Sequence, residues 1–204
     1  MCGRFYVPED DADEWINRIV ETAVSRAEKL NRGPVSRGEV TPSCTVAALA
    51  PDRRGQPSAF PMRWGFRLDN GRQVINTRSE TAAEKPLFRA SFRQRRCLIP
   101  AAWYYEWERL AGPDGKPLKR RYALRPDRQG PVLLTGIYRY EPGEVLPAFS
   151  ILTRPAAPEI AFIHDRMPVI CPPDLADRWL DPERDPRWLT EDPDRTAMLS
   201  TPDP

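Results

Sequence analysis

The chain has 204 residues, with 31 Lys and Arg against 29 Asp and Glu and a formal net charge of +2. This length suits one domain with a full core, and the charge is too balanced to indicate a nucleic-acid binder by itself. The four Cys show no CxxC pairing, the single His leaves no zinc-type ligand set, and no apolar run approaches the roughly 18 residues that span a bilayer. We therefore expect a cytoplasmic monomer without a metal, a cofactor or a membrane partner.

Cys2 is the first candidate for chemistry. Removal of Met1, which is usual before a small side chain, leaves Cys2 with an α-amine (reference pKa about 8) beside a thiol (about 8.5). Such a vicinal aminothiol condenses with an aldehyde to an imine, and the thiol then closes a thiazolidine ring. Two other interpretations stay open: acyl transfer by the thiolate with the amine as base, and an incidental cysteine near a frayed terminus.

Hydrophobic periodicity predicts a β-rich chain with a few helices. Strands are expected at 4–7, 45–49, 59–64, 97–99, 103–107, 121–124, 132–138, 149–153 and 169–171. Helices are expected from the acidic cluster 9–13 to about Lys29, after a start capped by Ser79 or by Thr77 with Glu80, over 85–93 and over 173–180. Residues 65–73 are predicted to form a loop.

The fold class that follows is α+β, with a compact, mainly antiparallel β core and flanking helices. We expect a single domain over residues 2–180. Residues 181–204 are rich in Pro and acidic side chains and poor in apolar ones. That composition predicts a loosely ordered tail.

The densest aromatic stretch, Trp103–Trp107, surrounds one acid. Strand alternation places Tyr104 and Glu106 on one face and the Trp rings with Tyr105 on the other. Glu106 is then either a surface residue between core positions or a proton carrier in a partly apolar pocket. The only His, His164, is a structural residue or the second candidate for acid–base chemistry near neutral pH.

Four separated stretches together resemble one known family. They are Cys2-Gly3-Arg4-Phe5, Asn76-Thr77-Arg78-Ser79-Glu80-Thr81, Cys97-Leu98-Ile99-Pro100 leading into Trp103–Trp107, and His164-Asp165-Arg166-Met167-Pro168. The combination is similar to the SOS-response-associated peptidase family, whose members protect abasic sites in single-stranded DNA. The resemblance implies the family's compact β fold and a covalent thiazolidine link between Cys2 and the ring-opened aldehyde of an abasic site.

The resemblance also implies a role for each matching residue. Asn76 would orient the terminal amine and the sugar, Glu106 would shuttle protons during imine formation, and His164 would assist ring opening and reversal of the adduct. The expected DNA contacts are Arg4, Thr41, Pro42, Trp64, Arg78 and Arg166, of which the arginines would reach phosphates. A protein bound in this way would be associated with the nucleoid and would shield the lesion during the DNA damage response.

Other activities of the same terminus remain open from sequence. The main alternative is an N-terminal-nucleophile amidohydrolase or a thiol peptidase that uses Cys2. DNA lyase or self-cleaving peptidase activity could accompany the crosslink, although Met1 removal alone exposes Cys2. A passive single-strand-binding module would keep its DNA affinity without Cys2.

Overall fold

The computed structural model describes residues 2–9, 13–112, 116–191 and 197–203. The helices there are α1 (Glu14–Lys29), α2 (Ser79–Ala82), α3 (Pro86–Gln94), α4 (Ala176–Leu180) and α5 (Arg187–Glu191). The strands are β1 (Arg4–Val7), β2 (Gly38–Val40), β3 (Thr45–Pro51), β4 (Pro57–Trp64), β5 (Phe66–Arg67), β6 (Gln73–Val74), β7 (Asn76–Arg78), β8 (Arg96–Ala101), β9 (Trp103–Ala111), β10 (Pro117–Pro126), β11 (Val132–Arg139), β12 (Ala148–Pro155), β13 (Arg166–Pro168), β14 (Ile170–Cys171) and β15 (Met198–Pro202). Single 3₁₀ turns lie at Pro158–Ile160 and Pro173–Leu175.

Two larger sheets organise these strands. The first has five antiparallel strands in the order β15-β10-β9-β1-β2. In the second, β12 pairs with both β4 and β11, so that β12, β4, β3, β8 and β11 close into a ring. Strands β7, β13 and β14 attach to this ring. The predicted α+β class, with a mainly antiparallel β core and flanking helices, is confirmed.

Close packing inside the ring depends on one small residue. Gly136 lies in β11, and a Cβ atom there would meet Cys97 Sγ and Ile99 Cδ1 at 2.9 Å each. Real Cβ contacts essentially never come this near, so a larger residue at this position would force the Cys97 and Ile99 side chains of β8 to shift. The apolar cluster that fills the fold extends from Cys2 to Met198 and includes both sheets.

Helix α1 packs against β3 and β4 with its apolar face. It begins at Glu14, after Asp13, whose side chain accepts a hydrogen bond from the backbone N–H of Ile16 at 3.0 Å. The predicted earlier start falls on residues 10–12, which lie outside the described residues. Among the described helices α1 is the longest, and none of them is long and apolar enough to cross a membrane.

Two local predictions are corrected by tertiary contacts. Neither Ser79 nor Thr77 caps α2: Arg78 occupies the N-cap without a side-chain hydrogen bond, and the Thr77 hydroxyl lies 2.9 Å from that of Ser150 instead. The predicted loop over 65–73 contains the short antiparallel pair β5–β6.

The described part of the chain after Leu180 is more ordered than its composition predicts. Strand β15 pairs with the edge of β10, and Leu189 and Met198 are buried. The guanidinium of Arg96, which is 1% exposed, donates hydrogen bonds to the carbonyls of Trp179 and Asp181. A free strand edge and a buried cation therefore supply partners for residues 181–191 and 197–203, and the predicted loose tail is wrong for these residues.

Candidate active site around Cys2

Cys2 lies where the two sheets meet. It directly precedes β1, which runs between β9 and β2 in the five-stranded sheet. Its carbonyl accepts a hydrogen bond of 2.8 Å from Asn76 Nδ2, and Asn76 begins β7, which pairs with β12 in the other sheet. The side chain of Cys2 is fully buried, and its thiol donates to the Arg4 carbonyl at 3.6 Å. Cys2 is thus held by tertiary contacts and is not part of a frayed terminus.

The pKa of the Cys2 thiol differs from the reference value for a free cysteine. Burial raises the pKa of this thiol far above its usual range, and the nearby Glu106 carboxylate adds to the effect. A backbone hydrogen bond of Arg4 and the positive charge of the N-terminus oppose this rise only in part. The thiol is therefore protonated at neutral pH, and chemistry at sulfur needs a base that accepts its proton.

Glu106 is a buried residue of β9, so the interpretation as a surface acid is wrong. It is 4% exposed and stands opposite Tyr122 of β10. Residues 103–111 form the predicted strand, which places Tyr104, at 0% exposed, on the same face as Glu106; Tyr105 of the other face is also buried, at 5% exposed. The rings on the other face make their own contacts: Trp103 stacks on Tyr6 at 4.5 Å, Arg121 lies 4.9 Å above Tyr105, and Arg4 lies 5.9 Å above Trp107.

Two further groups belong to this buried cluster and were not singled out from sequence. Burial raises the pKa of Tyr104 well above its ordinary value, with Cys2 and Glu106 adding to the rise and Arg154 of β12 opposing it. The Tyr104 hydroxyl has no hydrogen-bond partner among the described residues. The alternation around Glu106 already placed Tyr104 on the site face, whereas no sequence signal marked Arg154.

His164 and Asn76 belong to segments that flank opposite edges of the same strand, β12. His164 comes just before β13, which pairs with one edge of β12, while β7 pairs with the other edge. Its Nδ1 atom accepts a hydrogen bond of 3.0 Å from the Arg166 backbone N–H and lies 2.8 Å from Asp165 Oδ1. The structure thus groups Cys2, Asn76 and Glu106 directly, and joins His164 to the neighbouring Arg166.

The three arginines expected at phosphates differ in their availability. Arg4 is exposed and forms an ion pair with Glu39. Arg78 is exposed at the end of β7. Arg166 is mostly buried, because its guanidinium forms an ion pair with Glu80 through two nitrogens and also donates to the Thr153 carbonyl at 2.8 Å. A phosphate at Arg166 would have to compete with Glu80.

The remaining residues expected to contact DNA lie near one another but differ in how deeply they are buried. Thr41 and Pro42 are half-buried in the turn after β2. Trp64 is a core residue: it is fully buried, its indole N–H donates to the Ile75 carbonyl at 3.0 Å, and its ring packs 5.0 Å from that of Phe5. The prediction that Trp64 contacts DNA is therefore corrected, because no face of the ring is open to a base.

A groove of about 540 Å³ contains Arg4 and lies on the face of the five-stranded sheet opposite Glu106. It is lined by Arg4, Trp107, Leu118, Lys119, Arg120, Arg121 and Asp203. Cations and an aromatic ring in one open groove are the features of surfaces that bind single-stranded nucleic acid. No group of three or more His, Cys, Asp or Glu side chains that could hold a metal occurs in the described parts of the chain.

Comparison with known proteins identifies the family. The family model for SOS response associated peptidase (SRAP) matches residues 1–200. The abasic site processing protein YoqW of Bacillus subtilis is 34% identical over 201 residues, which cover 93% of this chain and 84% of YoqW. The abasic site processing protein YobE of the same organism is 35% identical over 123 residues, or 58% of this chain, and the match spans only about half (54%) of YobE. The crystal structure of a phage-related protein from Bordetella bronchiseptica matches with a TM-score of 0.72 and 27% identity, covering 98% of this chain and 93% of that one. The chain therefore belongs to the SOS response associated peptidase (SRAP) family.

Proposed function

We propose that this protein recognises abasic sites in single-stranded DNA and links to them covalently through Cys2 after Met1 has been removed. The observation that carries the proposal is the 2.8 Å hydrogen bond between Asn76 Nδ2 and the Cys2 carbonyl, across 74 positions of sequence. It holds the terminal residue, with its amine and thiol, beside the buried Glu106. The names of the relatives YoqW and YobE, both abasic site processing proteins, agree with this use.

The proposed reaction has two bond-forming steps. The Cys2 amine attacks the C1′ aldehyde of the opened sugar, and the carbinolamine loses water to give an imine. The Cys2 sulfur then adds to the imine carbon, the thiol proton passes to the imine nitrogen, and a thiazolidine results. Glu106 would give a proton to the departing hydroxyl and accept the thiol proton. That second task matters because burial raises the pKa of the Cys2 thiol and keeps it protonated.

Ring opening must come before these steps, because an abasic sugar exists mostly as a closed hemiacetal. We assign His164 to this step and to reversal of the adduct, as a proton donor whose Nδ1 is oriented by the Arg166 backbone. Rotation of Asn76 is not needed, since its Oδ1 remains available to the terminal amine.

Binding of the strand would rest on phosphate contacts rather than on base edges. Arg4 and Arg78 are exposed, and Arg166 would exchange Glu80 for a phosphate. The groove beside Arg4 would carry the adjoining nucleotides, with Trp107 as a stacking surface. Contacts of this kind are independent of base sequence, as a reader of lesions requires. We place this activity in the cytoplasm, at the nucleoid, with the protein acting as a monomer that shields the lesion.

Intact mass after incubation with a single-stranded oligonucleotide that contains one abasic site tests the proposal. Wild type should give protein minus Met1 plus DNA minus one water, without borohydride. Cys2→Ser keeps the amine and should be trapped only with borohydride, as should Cys2→Ala. An oligonucleotide with a tetrahydrofuran site, which has no aldehyde, is the matched control. Absence of the wild-type adduct would refute the proposal, and Cys2-dependent hydrolysis of amides would then favour the amidohydrolase.

A further inference from the structure

The buried cluster beside Cys2 contains a hydroxyl that the reaction proposed above does not use. The Tyr104 side chain is 0% exposed, and its hydroxyl has no hydrogen-bond partner among the described residues. Buried polar groups are nearly always paired, so an exception calls for a specific cause. A second polar atom of the same site, Asn76 Oδ1, is also buried and unpaired within the described residues. Asn76 Oδ1 is assigned above to the terminal amine of Cys2, which leaves the Tyr104 hydroxyl as the unpaired group of this site that a ligand atom could meet.

The position of Tyr104 defines what that ligand group can be. Tyr104 stands opposite Phe5 of β1 and two residues before Glu106 on the same face of β9. It is close enough to Cys2 and Glu106 for charge on either to act on the phenol. Burial raises the pKa of Tyr104, so the phenol keeps its proton and acts as a neutral donor. The ligand group must therefore be an acceptor. In a closed abasic sugar the reacting carbon C1′ carries two oxygens, the hydroxyl and the ring oxygen O4′, and O4′ is the one that gains negative charge when the ring opens.

We propose that Tyr104 is a further residue of the active site, whose hydroxyl donates a hydrogen bond to O4′ of the abasic sugar and promotes ring opening. This inference rests on the proposed function. During opening the C1′–O4′ bond breaks with its electron pair on O4′, the C1′ hydroxyl proton passes to the Glu106 carboxylate, and O4′ takes a proton from His164, whose Nδ1 accepts from the Arg166 N–H. Tyr104 keeps its own proton and stabilises the charge that develops on O4′.

A purely structural role makes a different prediction for the variant that removes only the oxygen. If Tyr104 serves as a large core side chain, then Tyr104→Phe preserves the packing and every step of the reaction. If the hydroxyl serves O4′, the same variant keeps the fold and the DNA affinity but slows capture of a sugar that must open. The two roles can therefore be distinguished by removing the Tyr104 hydroxyl oxygen from the protein and O4′ from the substrate.

The experiment compares crosslinking rates at saturating oligonucleotide for two aldehydes. One is a natural abasic site, and the other is an acyclic aliphatic aldehyde at the same chain position, which lacks O4′ and needs no opening. Tyr104→Phe should slow capture of the natural site by about a hundredfold, the order seen when one donor to a developing oxyanion is lost, with an unchanged Kd and thermal midpoint. Capture of the acyclic aldehyde should proceed as in wild type. Tyr138→Phe, on β11, is the matched control and should change neither rate.

Each result has one interpretation. Wild-type rates for Tyr104→Phe on the natural site would overturn the inference, and equal slowing on both aldehydes would overturn the assignment to O4′. Failure of wild type to capture either aldehyde would instead refute the proposed function itself. A wild type that captures both, beside an unaffected Tyr104→Phe, would leave the proposed function standing and remove only Tyr104 from it.

Discussion

The hydrogen bond from Asn76 to Cys2 makes a quantitative prediction about the terminus. Asn76→Ala removes the donor and leaves the Cys2 carbonyl without it, in a position where Cys2 is 0% exposed. An unsatisfied buried polar group costs about 1–3 kcal/mol. If this cost falls on the held position of the terminus, the fraction of protein with Cys2 in place drops roughly five- to 150-fold, at about 1.4 kcal/mol per factor of ten. We expect the crosslinking rate to fall by that factor.

The assay is single-turnover crosslinking to an abasic oligonucleotide at saturating protein, followed by denaturing gel electrophoresis. Asn76→Asp preserves the shape of the side chain but replaces the donor amide with an acceptor, so it should be at least as slow as Asn76→Ala. Gln94→Ala, which removes an exposed amide at the end of α3, is the matched control and should react like wild type. A folded Asn76→Ala protein that reacts at the wild-type rate would show that this hydrogen bond does not position Cys2 for the reaction.

Three other predictions concern the Cys2 thiol, the ion pair between Glu80 and Arg166, and the contacts of Arg96 with the C-terminal segment. Burial raises the pKa of Cys2, whereas hydrogen bonds lower the pKa of the half-buried Cys44. Iodoacetamide at neutral pH should therefore label Cys44 first, and labelling of Cys2 should accelerate as the pH rises. Peptide mapping that finds Cys2 labelled faster than Cys44 would contradict this prediction. Glu80→Gln should release Arg166 and raise the affinity for single-stranded DNA by up to about fivefold, the limit for a partly exposed ion pair. Fluorescence anisotropy in a Cys2→Ala background measures this affinity. A weaker affinity than that of the Cys2→Ala protein would argue against a phosphate site at Arg166. Arg96→Met should lower the free energy of unfolding by about 3 kcal/mol or more, because several backbone carbonyls lose a charged donor. A loss below about 1 kcal/mol in urea titration would refute the inference that Arg96 stabilises the C-terminal segment.

Short-range patterns determined the parts of this protein that depend on neighbouring residues. The period-two pattern around Glu106 correctly placed Tyr104 and Glu106 on one face of β9, because side chains alternate in any strand. Hydrophobic periodicity likewise predicted helix α1 and its end at Lys29. Cys2 was identifiable as a candidate nucleophile from its position and chemistry alone.

Only the tertiary structure decided which distant groups meet and what each one contacts. The bond between Asn76 and Cys2 spans 74 positions and depends on the pairing of β7 with β12. Trp64 resembled a DNA contact in sequence, but the same ring fills the core against Phe5. Composition predicted a loosely ordered tail, whereas β15 of that segment pairs with the edge of β10. In each case the outcome depends on strand register and on which surfaces are buried together, and these are properties of the whole chain that local periodicity does not contain.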